Sequence, residues 1–336
     1  MVMRSETTAI NVDHLHRLQE DFKEAKDPFK KAIIDGKLAY YAFRRPIDSF
    51  VIHRRLEKRL REDAFFKHVD RFLLNEGGMF KKYAYNVWNH FYPLKGAAVL
   101  VPGVGYGRSL FQLALFKPKI IVAFDLYEYS EEWALVSKKL LDAFGVPVLF
   151  FQGDFDNLPR TYLDFFDFVI SDAVLEHVKD LPAFAEHSKR LLKDNGIFYA
   201  SFGPIWFGPG GDHLYWGSDR LFDHLTLPED VYRKNFEARF PHIHPDSTEG
   251  AFIVAHKLLS YLEAKDYLEI LSRQGFQKLL LFAKIAMAAI ALFKRKPEIN
   301  ELLDRRALPA FDRFCSGIYL WMRLIKSQDG AARLVV

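Results

Sequence analysis

Residues 99–109 read VLVPGVGYGRS. An apolar run stops at Pro102, three glycines follow at alternate positions (Gly103, Gly105, Gly107), and SLFQLAL (109–115) begins a helical pattern. Glycines at this spacing belong where the backbone turns sharply and approaches a ligand with no Cβ in the way. The start of the next helix adds unpaired N–H groups and a positive dipole end, which suits a carboxylate or a phosphate. The loop alone therefore names no ligand. It is not a dinucleotide fingerprint, since position 108 is Arg and the third glycine falls at 107, and it lacks the Lys-Ser/Thr pair of a phosphate loop.

The same texture recurs downstream. KIIVAFD (119–125), VPVLFFQGD (146–154), FDFVISD (166–172) and GIFYASF (196–202) are short apolar runs that end in Gly, Asp or a small residue. Between them, SEEWALVSKKLLDAF (130–144) and LPAFAEHSKRLLKDN (181–195) carry helical spacing. Strands that alternate with helices predict a parallel sheet buried on both faces, and right-handed crossovers make it doubly wound. Further on, KLLSYLEAKDYLEILSRQ (257–274) reads as a helix stopped by Gly275, FQKLLLFAKI (276–285) as a strand, and GIYLWMRLI (317–325) as a closing strand after a charged helical excursion. That late pair predicts an antiparallel edge on the parallel sheet.

Upstream, Leu15, Leu18, Phe22 and Phe29 repeat at helical spacing, as do Ile52, Leu56, Leu60, Phe66, Val69 and Leu73. Residues 1–92 are therefore expected to be a helical N-terminal region on the substrate side, with one α/β domain over 93–336. An aromatic, Gly- and Pro-rich insertion at 203–255 interrupts the alternation, and such long irregular stretches are usually functional.

These motifs, in this order, resemble the class I S-adenosylmethionine-dependent methyltransferases, particularly the small-molecule group. The resemblance covers about residues 85–205 closely and extends loosely to 325. It implies a Rossmann-like, mostly parallel seven-stranded sheet with an antiparallel last strand, and S-adenosyl-L-methionine as cofactor. By the family pattern the glycine loop Gly103, Gly105 and Gly107 holds the cofactor. Asp125, eighteen residues after Gly107, holds the ribose hydroxyls with Leu126 beside it, and Asp154, twenty-nine residues further, accepts from the adenine amino group with Phe155 near the ring. FDFVISDAVLEHVKD (166–180) matches the family's fourth segment, which adds Asp172 to the cofactor set and His177 near the reacting methyl. One position departs: the acid usual two residues before the first glycine is Val101 here, so Tyr106, Arg108 and Asp172 are the candidates to hold the methionine end.

Plainer roles stand beside these. Asp125 could serve an Asx turn, Asp154 a surface loop, and His177 a structural hydrogen bond. In PIWFGPGGDHLYWGSDRLFDHL (204–225), Trp206, Tyr215 and Trp216 are candidates to line an apolar acceptor pocket, and equally candidates to glue the insertion in place. His213 is the first candidate for a general base toward a hydroxyl acceptor and His177 the second. His213, His224, His242 and His244 invite a metal reading, but no cysteine joins them and the context is Pro-rich, so no metal site is expected.

Composition limits the partners. The chain has 336 residues, half of them hydrophobic, with 32 Phe, 15 Tyr and 5 Trp, so a large core is available. Net charge is +4, spread as +5 over residues 1–90, −3 over 91–205 and +2 beyond. No segment is basic enough for a polyphosphate clamp, so a small-molecule acceptor is expected rather than nucleic acid. HRRLEKRLRE (53–62) reads as a solvated helix face, with an anionic docking surface as the sharper alternative. The longest unbroken apolar run in FQKLLLFAKIAMAAIALF (276–293) is nine residues, short of a membrane span of ~20, leaving peripheral contact as the minor option. A single cysteine, Cys315, excludes a disulfide framework and fits a cytoplasmic protein. A homodimer is left open. The expected activity is O-methylation of a small molecule; a non-catalytic cofactor-binding protein and a macromolecular methyltransferase are the alternatives.

Overall fold

Along AVLVP (98–102), side chains alternate between two apolar layers: Ala98 and Leu100 enter one, Val99 and Val101 the other. The same period of two recurs at Val122 and Phe124 against Ile121 and Ala123, and at Leu320 and Met322 against Tyr319 and Trp321. A strand covered on both faces has no polar side, which is why these segments read as continuous apolar runs.

The computed structural model describes residues 58–74, 93–214, 217–239 and 259–326. Within them the strands are β1 (Arg71–Leu74), β2 (Ala98–Pro102), β3 (Ile120–Asp125), β4 (Val148–Gln152), β5 (Phe166–Asp172), β6 (Leu192–Phe202), β7 (Phe276–Ile285) and β8 (Cys315–Leu324). They form one sheet in the order β1-β7-β8-β6-β5-β2-β3-β4. β8 runs antiparallel to both β6 and β7, and the other neighbouring pairs are parallel. The expected seven strands with an antiparallel last strand are β2–β8, on a Rossmann-like, doubly wound plan. The chain moves outward from β2 through β3 to β4, then returns to lay β5 on the other side of β2. Ligands of open α/β sheets bind at the strand C-termini where the winding reverses in this way.

Three local expectations are corrected. The antiparallel strand is not an edge: β8 slots between β6 and β7 because the helical excursion 287–314 is long enough to carry the chain back past β7. The helical pattern running to Leu73 breaks at Asp63, whose side chain accepts from Phe65 N and caps a 3₁₀ turn (Ala64–His68); Leu73 lies in β1, an eighth strand parallel to β7. The helix expected over 257–274 spans Ala264–Arg273, its start set by Glu263 N donating to the Asp266 carboxylate at 2.9 Å. The helix expected after the glycine loop is present as Leu110–Ala114. The N-terminal pattern 13–31, Ile52, Leu56, residues 86–92, Tyr215, Trp216, His242 and His244 lie outside the described residues.

Two surface expectations meet observations. Lys58 pairs with Glu62 at 3.6 Å and Arg59 with Asp304 at 2.6 Å, so these two cations on the segment 53–62 face partners of this chain. The segment 276–293 divides into β7 and the helix Met287–Arg295, and among the described residues no helix is long and apolar enough to cross a membrane.

Candidate active site

The glycine loop leaves β2 at its C-terminal end, and the three glycines have φ of +64°, +52° and +79°. Gly103 is also sterically forced, because a Cβ there would lie 2.3 Å from Val174 Cγ2. Gly105 differs: a Cβ would meet nothing within 4 Å. Its bareness serves open space, a cradle into which a ligand can come close to backbone. Val101, Gly105, Tyr106, Arg108, Ser109 and Asp172 are among the residues lining a crevice of about 270 Å³ at this point.

Asp125 ends β3 beside the loop. One carboxylate oxygen accepts from Gly105 N at 2.7 Å and the other from Tyr127 N at 3.1 Å. The Asx turn is therefore present, and the same carboxylate also ties down the glycine loop. It does not cap the next helix, Ser130–Phe144, whose cap position is Tyr129. Gly153 N donates to Asp125 O at 2.8 Å, which brings the end of β4 and Asp154 to the same edge of the sheet. Asp154 is exposed; its side chain accepts from Asp156 N at 2.9 Å, and Asn157 returns a bond to Asp154 N at 3.0 Å, a small capping box. Leu126 is 68% exposed on the rim. Phe155 packs edge-on against Phe124 and Phe184 and stacks with His187 at 5.3 Å.

One brace was not visible in the sequence. Trp133 is buried, stacks on Phe150 at 5.1 Å and donates its indole N–H to Gly105 O at 2.8 Å. With Asp125 holding Gly105 N, the two peptide units that flank the Gly105 Cα are each fixed by a side chain.

Val101 is 4% exposed, and the polar groups named to replace the family acid, Tyr106, Arg108 and Asp172, line the same crevice. The Arg108 guanidinium lies 5.7 Å over the Tyr106 ring, and Asp172 accepts a short hydrogen bond from Ser201 Oγ.

Beyond Asp172, Ala173 takes a left-handed φ of +57° and turns the chain into Leu175–His177. Glu176 is 2% exposed and accepts from Gly203 N at 2.9 Å. His177 and His213 are both exposed, with ring centroids 4.7 Å apart. His213 sits at φ +60° with Nε2 2.8 Å from Pro204 O. Next to it, Asp212 is 4% exposed and accepts from Tyr232 OH at 2.7 Å. Burial, then the Asp212 charge and hydrogen bond, push the Tyr232 phenol far above its usual range, so it remains a donor. Neither Asp212 nor Tyr232 was singled out from sequence; the pair lies twenty residues apart and has no motif.

Trp206 is half-buried, edge-on to His224 and Tyr261 at 4.9 and 4.7 Å, and its carbonyl oxygen is 2.8 Å from His224 Nε2. Its ring thus helps pack the insertion. Cys315, the first residue of β8, is fully buried.

Residues 100–200 match the methyltransferase domain family, and this span holds the glycine loop, both aspartates and the Glu176–His177 turn. The chain carries a class I S-adenosylmethionine-dependent methyltransferase domain. It is an enzyme of methyl transfer with S-adenosylmethionine as cofactor. Among solved structures, the methyltransferase resembles an S-adenosylmethionine-dependent methyltransferase from Mesorhizobium loti (18% identity, 71% of this chain and 97% of that one, TM-score 0.44). It also resembles geranyl diphosphate C-methyltransferase from Streptomyces coelicolor A3(2) (10%, 74% and 80%, TM-score 0.44). A third is Haemonchus contortus phosphoethanolamine N-methyltransferase 2 (16%, 72% and 52%, TM-score 0.41). No curated protein matches the chain.

Proposed function

We propose that this methyltransferase methylates the hydroxyl oxygen of a small-molecule acceptor, bound between the crevice of β2 and β5 and the insertion that follows β6. The observation that carries this reading is the pair of exposed imidazoles, His177 and His213, with ring centroids 4.7 Å apart, His177 five residues after Asp172 of the crevice. Bound S-adenosylmethionine supplies an electrophilic methyl, so the chain's main task is alignment. A hydroxyl is a poor nucleophile while protonated, and an imidazole is the side chain suited to take that proton near neutral pH. His213 is assigned this role first and His177 second.

On the cofactor side, Gly103, Gly105 and Gly107 present bare backbone to the ligand. Asp125 already accepts two backbone N–H groups, one on each oxygen, and each oxygen keeps a further lone-pair site for a ribose hydroxyl. Leu126 forms the rim beside the ribose, and Asp154 and Phe155 serve the adenine edge. Asp172 and Arg108 hold the ammonium and carboxylate of the methionine end, in place of the acid that Val101 displaces. Trp206, Tyr215 and Trp216 form the apolar side of the acceptor pocket. Residues 93–336 act as the catalytic domain, with the 203–255 insertion as its roof and residues 1–92 on the acceptor side.

The test is transfer of labelled methyl from S-adenosylmethionine to a panel of hydroxyl, amine and carbon acceptors, with the product bond identified by mass spectrometry. Label on oxygen supports the reading; label only on nitrogen, carbon or a macromolecule overturns it. His213→Ala is expected to lower turnover by on the order of 10²–10⁴-fold at unchanged cofactor affinity.

A further inference from the structure

We propose that Glu176, His177 and His213 form a binding site for one divalent transition-metal cation, which holds the acceptor's oxygen; this rests on the oxygen-acceptor reading above. Each of the three offers a ligand atom, and these atoms lie within 4.8 Å of one another. Two imidazole nitrogens and one carboxylate are a donor set suited to a borderline cation such as Zn²⁺, Co²⁺ or Fe²⁺, and three protein ligands leave positions open for substrate.

The geometry is close to what such an ion needs. Bond lengths of ~2.0–2.1 Å put tetrahedral ligand atoms about 3.4 Å apart. Both imidazoles lie at the surface, so drawing the ligand atoms closer would involve these side chains rather than the core. Glu176 supplies the fixed point: it is 2% exposed and clamped by Gly203 N. His213 is also set up from behind. With Nε2–H donating to Pro204 O at 2.8 Å, its tautomer leaves the lone pair on Nδ1, and an outer carbonyl of this kind orients metal-binding histidines. Its left-handed backbone, uncommon outside glycine, brings His213 to this place. The neighbouring Asp212 is anchored to Tyr232, which fixes the turn that carries it.

The site was not legible from spacing. His177 and His213 are thirty-six residues apart, and His242 and His244, weighed as metal ligands and set aside in the sequence, lie outside the described residues. His224, also considered, is turned to Trp206 O.

With a cation bound, the two histidines would serve as its ligands, and this would replace the proton-acceptor role proposed for them above while leaving the oxygen-acceptor reading unchanged. The acceptor hydroxyl loses its proton to buffer on binding the cation, its oxygen forms the new O–CH₃ bond, and the C–S bond breaks with its electron pair left on sulfur as the thioether. The acceptor class is thus a hydroxyl compound able to place that oxygen, alone or with a neighbouring oxygen, on a divalent cation.

The test uses the full chain stripped with a chelator and titrated with Co²⁺, followed by its visible absorption and by equilibrium dialysis. One equivalent of Co²⁺ with ligand-field bands is expected, weakened at least ~10-fold in His213→Ala and in His177→Ala. Both positions are exposed, so these variants keep the test valid if Glu176→Gln fails to fold. Absence of a bound equivalent, or identical binding in both histidine variants, overturns the site. S-adenosylhomocysteine is titrated into the same samples: binding without Co²⁺ uptake sinks only the cation site. Methyl label found only on nitrogen or carbon, with Co²⁺ bound as expected, sinks instead the oxygen-acceptor reading on which the cation's role rests.

Discussion

The strand-end region 98–172 and the insertion 203–239 are linked through the turn at Glu176 and His177, which touch Gly203 N and the His213 ring, but they are built differently. In the first, the functional positions are successive strand termini, and short bonds among them stiffen one loop: Asp125 to Gly105 N, Trp133 to Gly105 O, Gly153 N to Asp125 O. In the second, the positions are turns and short helices, held by bonds within the insertion itself such as Tyr232 to Asp212 and His224 to Trp206 O. On the function proposed here, the difference teaches that the cofactor side is set by the winding of the sheet and the acceptor side by an insertion added to it. Substitutions in the first region should then strike S-adenosylhomocysteine affinity, and those in the second should spare it.

Gly103→Val is expected to act most strongly. The positive φ and the clash with Val174 together cost about 2–4 kcal/mol of stability, visible in urea unfolding, and cofactor affinity falls by on the order of 100-fold. Asp125→Asn removes a charged acceptor while keeping its shape; calorimetry should show affinity about 10–100-fold weaker. Trp133→Phe keeps the ring but deletes the donor to Gly105 O, for a loss of roughly threefold to tenfold. Tyr232→Phe marks the other side of the comparison: stability drops by about 1–3 kcal/mol because Asp212 loses its buried partner, and methyl transfer slows. Cofactor affinity stays within about twofold by the separation argued above. An affinity loss in Tyr232→Phe as large as that in Asp125→Asn would show that the two regions are one unit.

Legibility follows the same division. Gly103, Asp125 and Asp154 can be read from sequence because a strand of fixed period ends at each, so distance along the chain translates into distance along the sheet edge. β8 was legible as a strand but not in its place, since its apolar alternation suits any position in a sheet covered on both faces and does not say which strands flank it. Trp133 looks in sequence like any core aromatic of an amphipathic helix; only the approach of a carbonyl twenty-eight residues upstream gives its indole N–H a task. His177 and His213 were each legible as candidates, but their convergence with Glu176 depends on a left-handed turn that no local pattern announces.

Cys315 has a practical corollary. It is fully buried, its thiol donates to Gly317 O at 3.3 Å, and burial pushes its ionisation well upward. As the sole native sulfhydryl, it leaves alkylating dyes with nothing to attack in the folded enzyme. A cysteine engineered on the exposed face of Glu229–Arg239 would therefore take up a fluorophore alone, reporting the roof's response to ligands without first mutating the wild-type background.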